Sequence, residues 1–236
     1  MVVVITGVGR RLGLALAQHF LAQGDQVVGT FRSHYPELEE LRAQGADITE
    51  LELTDLTAVQ HWATQKAEKY PSIDVLIHNA SAFKPTADNH VQGLSDLALF
   101  TCVHMQVPYV LNEVFSANLR ASTQRHGNII HITDIYVKKP NPTFSLYCAS
   151  KAGLQSLNDS YAQTLAPDVR VNAIQPGPLA FLPEHSEAAK EKVLAATPLA
   201  TLGGFEPVVQ AVDFILSNDY LTGASLAIDG GRSLRI

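Results

Sequence analysis

Short, uninterrupted apolar runs alternate along the chain with longer stretches whose apolar positions recur every three to four residues. The first run, Val2–Thr6, is rich in β-branched residues and ends at Gly7. Behind it, residues 10–22 carry Leu12, Leu16 and Phe20 on one helical stripe that stops at Gln23-Gly24. Strand-like runs follow at Gln26–Phe31, Ile48–Leu53, Val75–His78, Asn128–Thr133, Val169–Ile174 and Ser225–Ile228. Helical patterns lie between them at Glu37–Gln44, Ala58–Lys69, Leu94–Leu119 and Phe144–Leu165. Strands that are apolar throughout are expected where both faces of a sheet are covered, and strands separated by helices make that sheet parallel. The pattern predicts one α/β domain over residues 1–236, a doubly wound parallel sheet with helices on both faces. Gly177–Gly204 shows no strand pattern and is rich in Pro, Ala and charge. It is expected to form a substrate lid around residues 178–204.

Composition narrows the setting. Hydrophobic residues make up 46% of the chain and charged residues 17%, enough for a large core and too little charge for disorder. A formal charge of −6 argues against a nucleic-acid or anionic-membrane partner, while leaving room for a local basic pocket. No uninterrupted apolar run approaches the ~18 residues of a membrane span. The first strand-like run begins at the start of the sequence, so no signal peptide is expected. Cys102 and Cys148 lack metal-binding spacing, so no metal is expected. Together these features predict a cytoplasmic protein in a reducing compartment.

Candidate chemistry gathers at the predicted strand ends. Thr6-Gly-Val-Gly-Arg-Arg-Leu-Gly13 joins the first strand to the first helix, where a helix N-terminus and close backbone approach suit a pyrophosphate. Its spacing, Gly-x-Gly-x-x-x-Gly, differs from the common dinucleotide fingerprint and is a weak signal alone. After the second strand, an NAD binder usually places an acid; here the segment reads Thr30-Phe-Arg-Ser-His-Tyr35. Arg32 and Ser33, with Arg10 and Arg11, suit a 2′-phosphate instead, so NADPH is the expected cofactor.

Tyr147 and Lys151 stand four residues apart in a predicted helix, on one face. An ammonium one turn away favours the phenolate and is expected to draw the phenol's titration toward neutrality, where general acids are efficient. Seven Tyr and eight Lys in 236 residues give about 0.24 such pairs by chance, so the pair needs support from elsewhere. That support comes from Asn79-Ala-Ser81, Asp134, Gln175-Pro-Gly177 and Asp229-Gly-Gly231, each behind a predicted strand at the end where open α/β sheets bind ligands.

Taken in order, the glycine turn, Asn-Ala-Ser, Tyr-x-x-x-Lys and Pro-Gly resemble the short-chain dehydrogenase/reductase family over essentially the whole chain. The resemblance implies a Rossmann-like fold and a homotetramer built through the two longest helices. It also implies a cofactor site at Gly7, Gly9, Arg10, Arg11, Leu12, Arg32, Ser33, Asn79, Ala80, Ser81, Tyr147, Lys151, Pro176 and Gly177. Three positions depart from the family pattern. Arg11 stands in place of a Gly, Asp134 in place of a Ser, and His104 in place of an Asn four residues before Pro108. The first two resemble the pteridine reductases. Phe31-Arg-Ser-His-Tyr-Pro36, His78-Asn-Ala-Ser81, His104, Glu184-His185 and the ending Asp229-Gly-Gly-Arg-Ser-Leu-Arg235 are similar to the bacterial dihydromonapterin reductases.

What this implies is an NADPH-dependent reduction of a dihydropterin, with weak dihydrofolate reduction alongside. Tyr147, Lys151 and Asp134 would be catalytic, and Arg11, Ser81, Phe83, Asp134 and Tyr147 would hold the substrate, Phe83 by stacking on the pterin. His104 would relay protons or sit as a satisfied core histidine. His185 would reach substrate from the lid, Cys148 would pack, and Glu52 makes the usual adenine contact doubtful. Two other readings stay open at this point: a reductase of another carbonyl substrate, and a non-catalytic NADPH-binding sensor.

Overall fold

A computed structural model describes residues 1–183 and 185–235. Its strands are β1 (Val2–Thr6), β2 (Gln26–Phe31), β3 (Asp47–Glu50), β4 (Val75–His78), β5 (Gly127–Ile132), β6 (Val169–Pro176) and β7 (Ser225–Ile228). They form one sheet in the order β3-β2-β1-β4-β5-β6-β7, and every pairing is parallel. The helices are α1 (Arg11–Ala22), α2 (Glu37–Ala43), α3 (Leu56–Lys69), α4 (His90–Thr101), α5 (Val107–Arg120), α6 (Ser145–Thr164), α7 (Glu187–Ala195) and α8 (Glu206–Ser217).

The continuous apolar strands are explained by two cores. Val3, Ile5, Val27, Ile77 and Ile130 face one layer, where they meet Leu16 and Phe20 of α1, Leu41 of α2 and Val212 of α8. The residues between them, Val4, Val28, Leu76 and Ile129, face the other layer and pack on Trp62 of α3, Phe115 of α5 and Tyr161 of α6. A strand buried on both sides has no polar face to show. Because β4 returns beside β1 after β2 and β3 have extended the sheet the other way, the strand order reverses between them. A crevice opens there, at the carboxyl ends of the strands.

Four features depart from the sequence pattern. The third strand ends at Glu50 and not at Leu53, because β3 pairs only with β2, whose last residue, Phe31, pairs with Glu50. The long helix starts at His90 and is interrupted by a π-helical turn, Cys102–Gln106, that separates α4 from α5. By length and hydropathy the whole stretch His90–Arg120 would suffice to cross a membrane, but 44% of its most apolar window is buried in the fold. The 178–204 segment contains α7, which buries none of its residues and so has no apolar stripe to betray it. Finally, α8 was not expected, although Val208, Val212 and Ile215 have helical spacing and all lie in the core.

Candidate active site

The crevice is built first from backbone. Thr6 ends β1, and its hydroxyl accepts the N–H groups of Asn79 (3.1 Å) and Ala80 (3.0 Å). Asn79 returns the favour through Nδ2, donating to the carbonyls of Thr6 (3.0 Å) and Gly7 (3.1 Å). The Asn79 Nδ2 hydrogens are therefore committed to the glycine turn. Gly13 presses on the same clamp: a Cβ there would stand 2.0 Å from the Gly7 carbonyl oxygen and 2.5 Å from Asn79 Nδ2. α1 then begins without a side-chain cap, leaving its first N–H groups for an anion. This uncapped end beside a backbone packed too tightly for a Cβ fits the pyrophosphate of a dinucleotide.

Arg11 has φ +55°, in the left-handed region that costs a side-chain-bearing residue about 1–2 kcal/mol, which explains why the family pattern has Gly there. Its Nη2 donates to the Ala180 carbonyl (3.3 Å), tying the turn to the 178–204 segment. Arg10 is exposed above the Tyr35 ring (5.7 Å to the centroid), and Arg32 and Ser33 are exposed past the end of β2. Leu12 points into the core, so only its backbone is offered to the turn. Across the sheet, Pro176 ends β6, and Gly177 packs where a Cβ would lie 2.7 Å from that of Asp229.

Helix α6 carries Tyr147, Ser150 and Lys151, all buried. Tyr147 Oη donates to Asp134 Oδ2 at 2.8 Å, while Asp134 Oδ1 accepts the Tyr136 N–H (2.8 Å) and caps the short turn Ile135–Val137. Burial pushes the Asp134 carboxyl up. Burial and the carboxylate beside it hold the Tyr147 phenol well above its ordinary value. This overturns the expectation that Lys151 would draw Tyr147 down toward neutrality. Lys151 Nζ sits 5.9 Å from the ring centroid and donates to the Ile132 carbonyl (2.8 Å), and burial lowers it to about 8. Desolvation and the Asp134 carboxylate, not the ammonium, set the direction of the phenol.

Ser81 and His104 complete the floor. His104 lies in the π-helical turn, buried, with its ring parallel to Phe100 (4°) and edge-on to Tyr147 (85°). Its Nε2 meets Ser81 Oγ (2.9 Å) and the Ala82 N–H (3.2 Å), and its Nδ1 meets Ser150 Oγ (2.8 Å). Phe83 is 54% exposed, stacked on Phe144 at 4.5 Å and edge-on to Tyr147 at 4.8 Å, an aromatic wall open to the crevice.

The remaining candidates take no part in these hydrogen bonds. Cys148 is packed beside Phe100 and Tyr147. Glu52 is exposed and accepts from Thr54. His185 is exposed, its ring edge-on to Phe181. Glu184 lies outside the described residues. Sequence reasoning missed Thr6 and Ser150 as working groups. Thr6 was legible as the one polar residue ending an apolar strand, and Ser150 as the hydroxyl three residues past Tyr147 on its own helix.

Comparison with known proteins agrees with this geometry. A family model described as enoyl-(acyl carrier protein) reductase matches residues 7–233. A dihydromonapterin reductase of Enterobacter sp. (strain 638) is 36% identical over 233 residues, covering 98% of this chain and 96% of that protein. Its counterpart in Citrobacter koseri is also 36% identical, over 99% of this chain and 97% of that protein. Among solved structures, a double variant of a Serratia marcescens short-chain dehydrogenase/reductase superposes with a TM-score of 0.85 at 25% identity, covering 98% of this chain and 97% of that one. A Clostridium thermocellum SCOR enzyme gives the same score and identity, over 99% and 93%. With a Tyr–Lys pair on one helix and a glycine cradle at the reversal of strand order, the chain belongs to the short-chain dehydrogenase/reductase family and is an oxidoreductase.

Proposed function

We propose that the protein reduces a dihydropterin with NADPH, converting 7,8-dihydromonapterin to its tetrahydro form, with weak dihydrofolate reduction as a side activity. The family uses a nicotinamide cofactor; the choice of NADPH rests on Arg32 and Ser33, which stand past β2 where an acid would favour NAD. The dihydromonapterin reductases at 36% identity support the substrate class.

The observation that carries the reading is the 2.8 Å hydrogen bond from Tyr147 to Asp134. Reducing a ketone calls for hydroxyls that donate to its oxygen, and this Tyr already gives its proton to a carboxylate. A nitrogen heterocycle with amino and ring N–H groups finds acceptors here, on Asp134 and on Ser81. When bound, the cofactor supplies a hydride to pterin C6, and balance requires a proton at N5. Tyr147 Oη faces the crevice, and its hydrogen becomes available to N5 when Asp134, whose carboxyl burial pushes up, takes a proton and donates to Oη in turn. Lys151 places a cation beneath the Tyr147 ring and, in this reading, holds the ribose. Phe83 would stack on the pterin, and Arg11 would reach its polar edge. The working unit is a cytoplasmic homotetramer built on α4–α5 and α6, where Val91, Leu94 and Tyr109 are exposed.

The test is cofactor oxidation with 7,8-dihydromonapterin and with dihydrofolate, each under NADPH and NADH. Turnover that is faster with the dihydropterin and with NADPH supports the reading. Reduction of ketones with none of pterins refutes it.

A further inference from the structure

We infer that His104 is a positioning residue that fixes the polarity of Ser81, making its hydroxyl an acceptor toward the substrate; the inference rests on the proposed pterin site. The partners dictate the direction of each hydrogen in turn. The Ala82 N–H can only donate, and it points at His104 Nε2 (3.2 Å), so Nε2 carries a lone pair. A neutral imidazole with an accepting Nε2 has its hydrogen on Nδ1, which faces Ser150 Oγ at 2.8 Å. Ser150 in turn spends its own hydrogen on the Tyr147 carbonyl, 2.7 Å away, which can only accept. The chain is polarised from end to end.

Two consequences follow. The chain stops at a backbone carbonyl, which takes up no proton, so His104 does not serve the proton relay that was one expectation for it. Charging the ring would set Nε2–H against the Ala82 N–H in a site where burial and the Lys151 ammonium already disfavour imidazolium. At the other end, Ser81 Oγ lies 2.9 Å from an unprotonated Nε2 and donates to it, sharing the one lone pair with the Ala82 N–H. The other acceptors within reach of that hydrogen are the Ala82 carbonyl, farther at 3.4 Å, and the Tyr147 hydroxyl oxygen. Ser81 is exposed to the crevice, and with its hydrogen on Nε2 it shows lone pairs there. Beside it, Tyr147 also aims its proton away from the crevice, at Asp134. Both hydroxyls therefore select for a ligand that brings N–H donors.

Two isosteric replacements separate this role from mere packing. Gln places an amide oxygen near the position of Nε2, whereas Asn reaches only as far as Nδ1. His104→Asn is expected to raise KM for 7,8-dihydromonapterin five- to tenfold with kcat and NADPH affinity little changed, the pattern of lost uniform binding. His104→Gln should stay within about twofold of the parent, and Ser81→Ala should match His104→Asn, the two together adding nothing further. A fall in kcat with KM unchanged would overturn the assignment in favour of a relay, and so would equal KM values in the Asn variant and the parent. Imidazole 15N spectra, with His104→Gln for assignment, test the polarity independently of what the enzyme reduces. A neutral Nδ1–H tautomer from pH 5 to 9 is expected. An Nε2–H tautomer, or titration near the ordinary histidine value, would overturn it even if pterin turnover is confirmed. Absence of pterin turnover with the expected tautomer would instead defeat the substrate reading and leave the polarity standing.

Discussion

Replacing Gly13 by Ala tests whether the cofactor cradle is built as described. The added Cβ would stand 2.0 Å from the Gly7 oxygen, 2.8 Å from the Gly7 carbonyl carbon and 2.5 Å from Asn79 Nδ2. Backbone lies on one side and a hydrogen-bonded amide on the other, so relief requires moving the turn by more than an ångström. Overpacking of this kind costs about 1–3 kcal/mol. The same movement breaks the two Asn79 hydrogen bonds at 3.0 and 3.1 Å, each worth about 1 kcal/mol. Together these give about 3–5 kcal/mol, a fall in Tm on the order of 10 °C for a chain of this size. Gly24→Ala is the control: it has φ +81° with nothing within 4 Å, so only the backbone cost of about 1 kcal/mol applies. Urea denaturation of both variants measures the difference, and NADPH fluorescence titration of Gly13→Ala should show at least tenfold weaker binding. If Gly13→Ala is no less stable than Gly24→Ala and binds NADPH as the parent does, the close approach of α1 to the turn is wrong.

Three further outcomes are expected. Tyr147→Phe should lower kcat for the dihydropterin by ~10²-fold while NADPH binding is retained, read by steady-state kinetics and fluorescence titration; near-parental turnover would remove Tyr147 as the acid. Arg32→Ala should lose about 1.5–3 kcal/mol of preference for NADPH over NADH, roughly ten- to a hundredfold in the ratio of their kcat/KM values; an unchanged ratio would move the 2′-phosphate contact elsewhere. Lys151 titrates at about 8 in the fold and near 10.4 when unfolded, so between these values the unfolded chain binds more protons and stability rises with pH. The gain is on the order of 3 kcal/mol, and Lys151→Met should lack it. Urea denaturation at pH 7.5 and 10.5 gives the parent-minus-variant difference, and a flat difference would contradict the burial of the charged amine.

What the chain by itself determined was the architecture and the inventory of the site. Apolar runs separated by helical stripes are a one-dimensional trace of a sheet covered on both faces. Residues at strand ends must converge at one edge of such a sheet, so Gly7, Asn79 and Asp134 were legible together, with Tyr147 on the helix behind Asp134. Interruptions without a hydrophobic signature were not legible. The π-helical turn at Cys102–Gln106 keeps a helical rhythm while shifting His104 against Ser81 and Ser150, and α7 buries nothing that a pattern could record. Charge balance was also beyond reach. Spacing along α6 brings Lys151 near Tyr147, but whether that ammonium wins depends on how much water the fold removes and on which atom faces which. Burial favours the neutral phenol and Asp134 accepts its hydrogen bond, so the same residues act with the opposite polarity. Local periodicity is written into neighbouring residues; desolvation and hydrogen-bond direction arise only when distant segments close around one another.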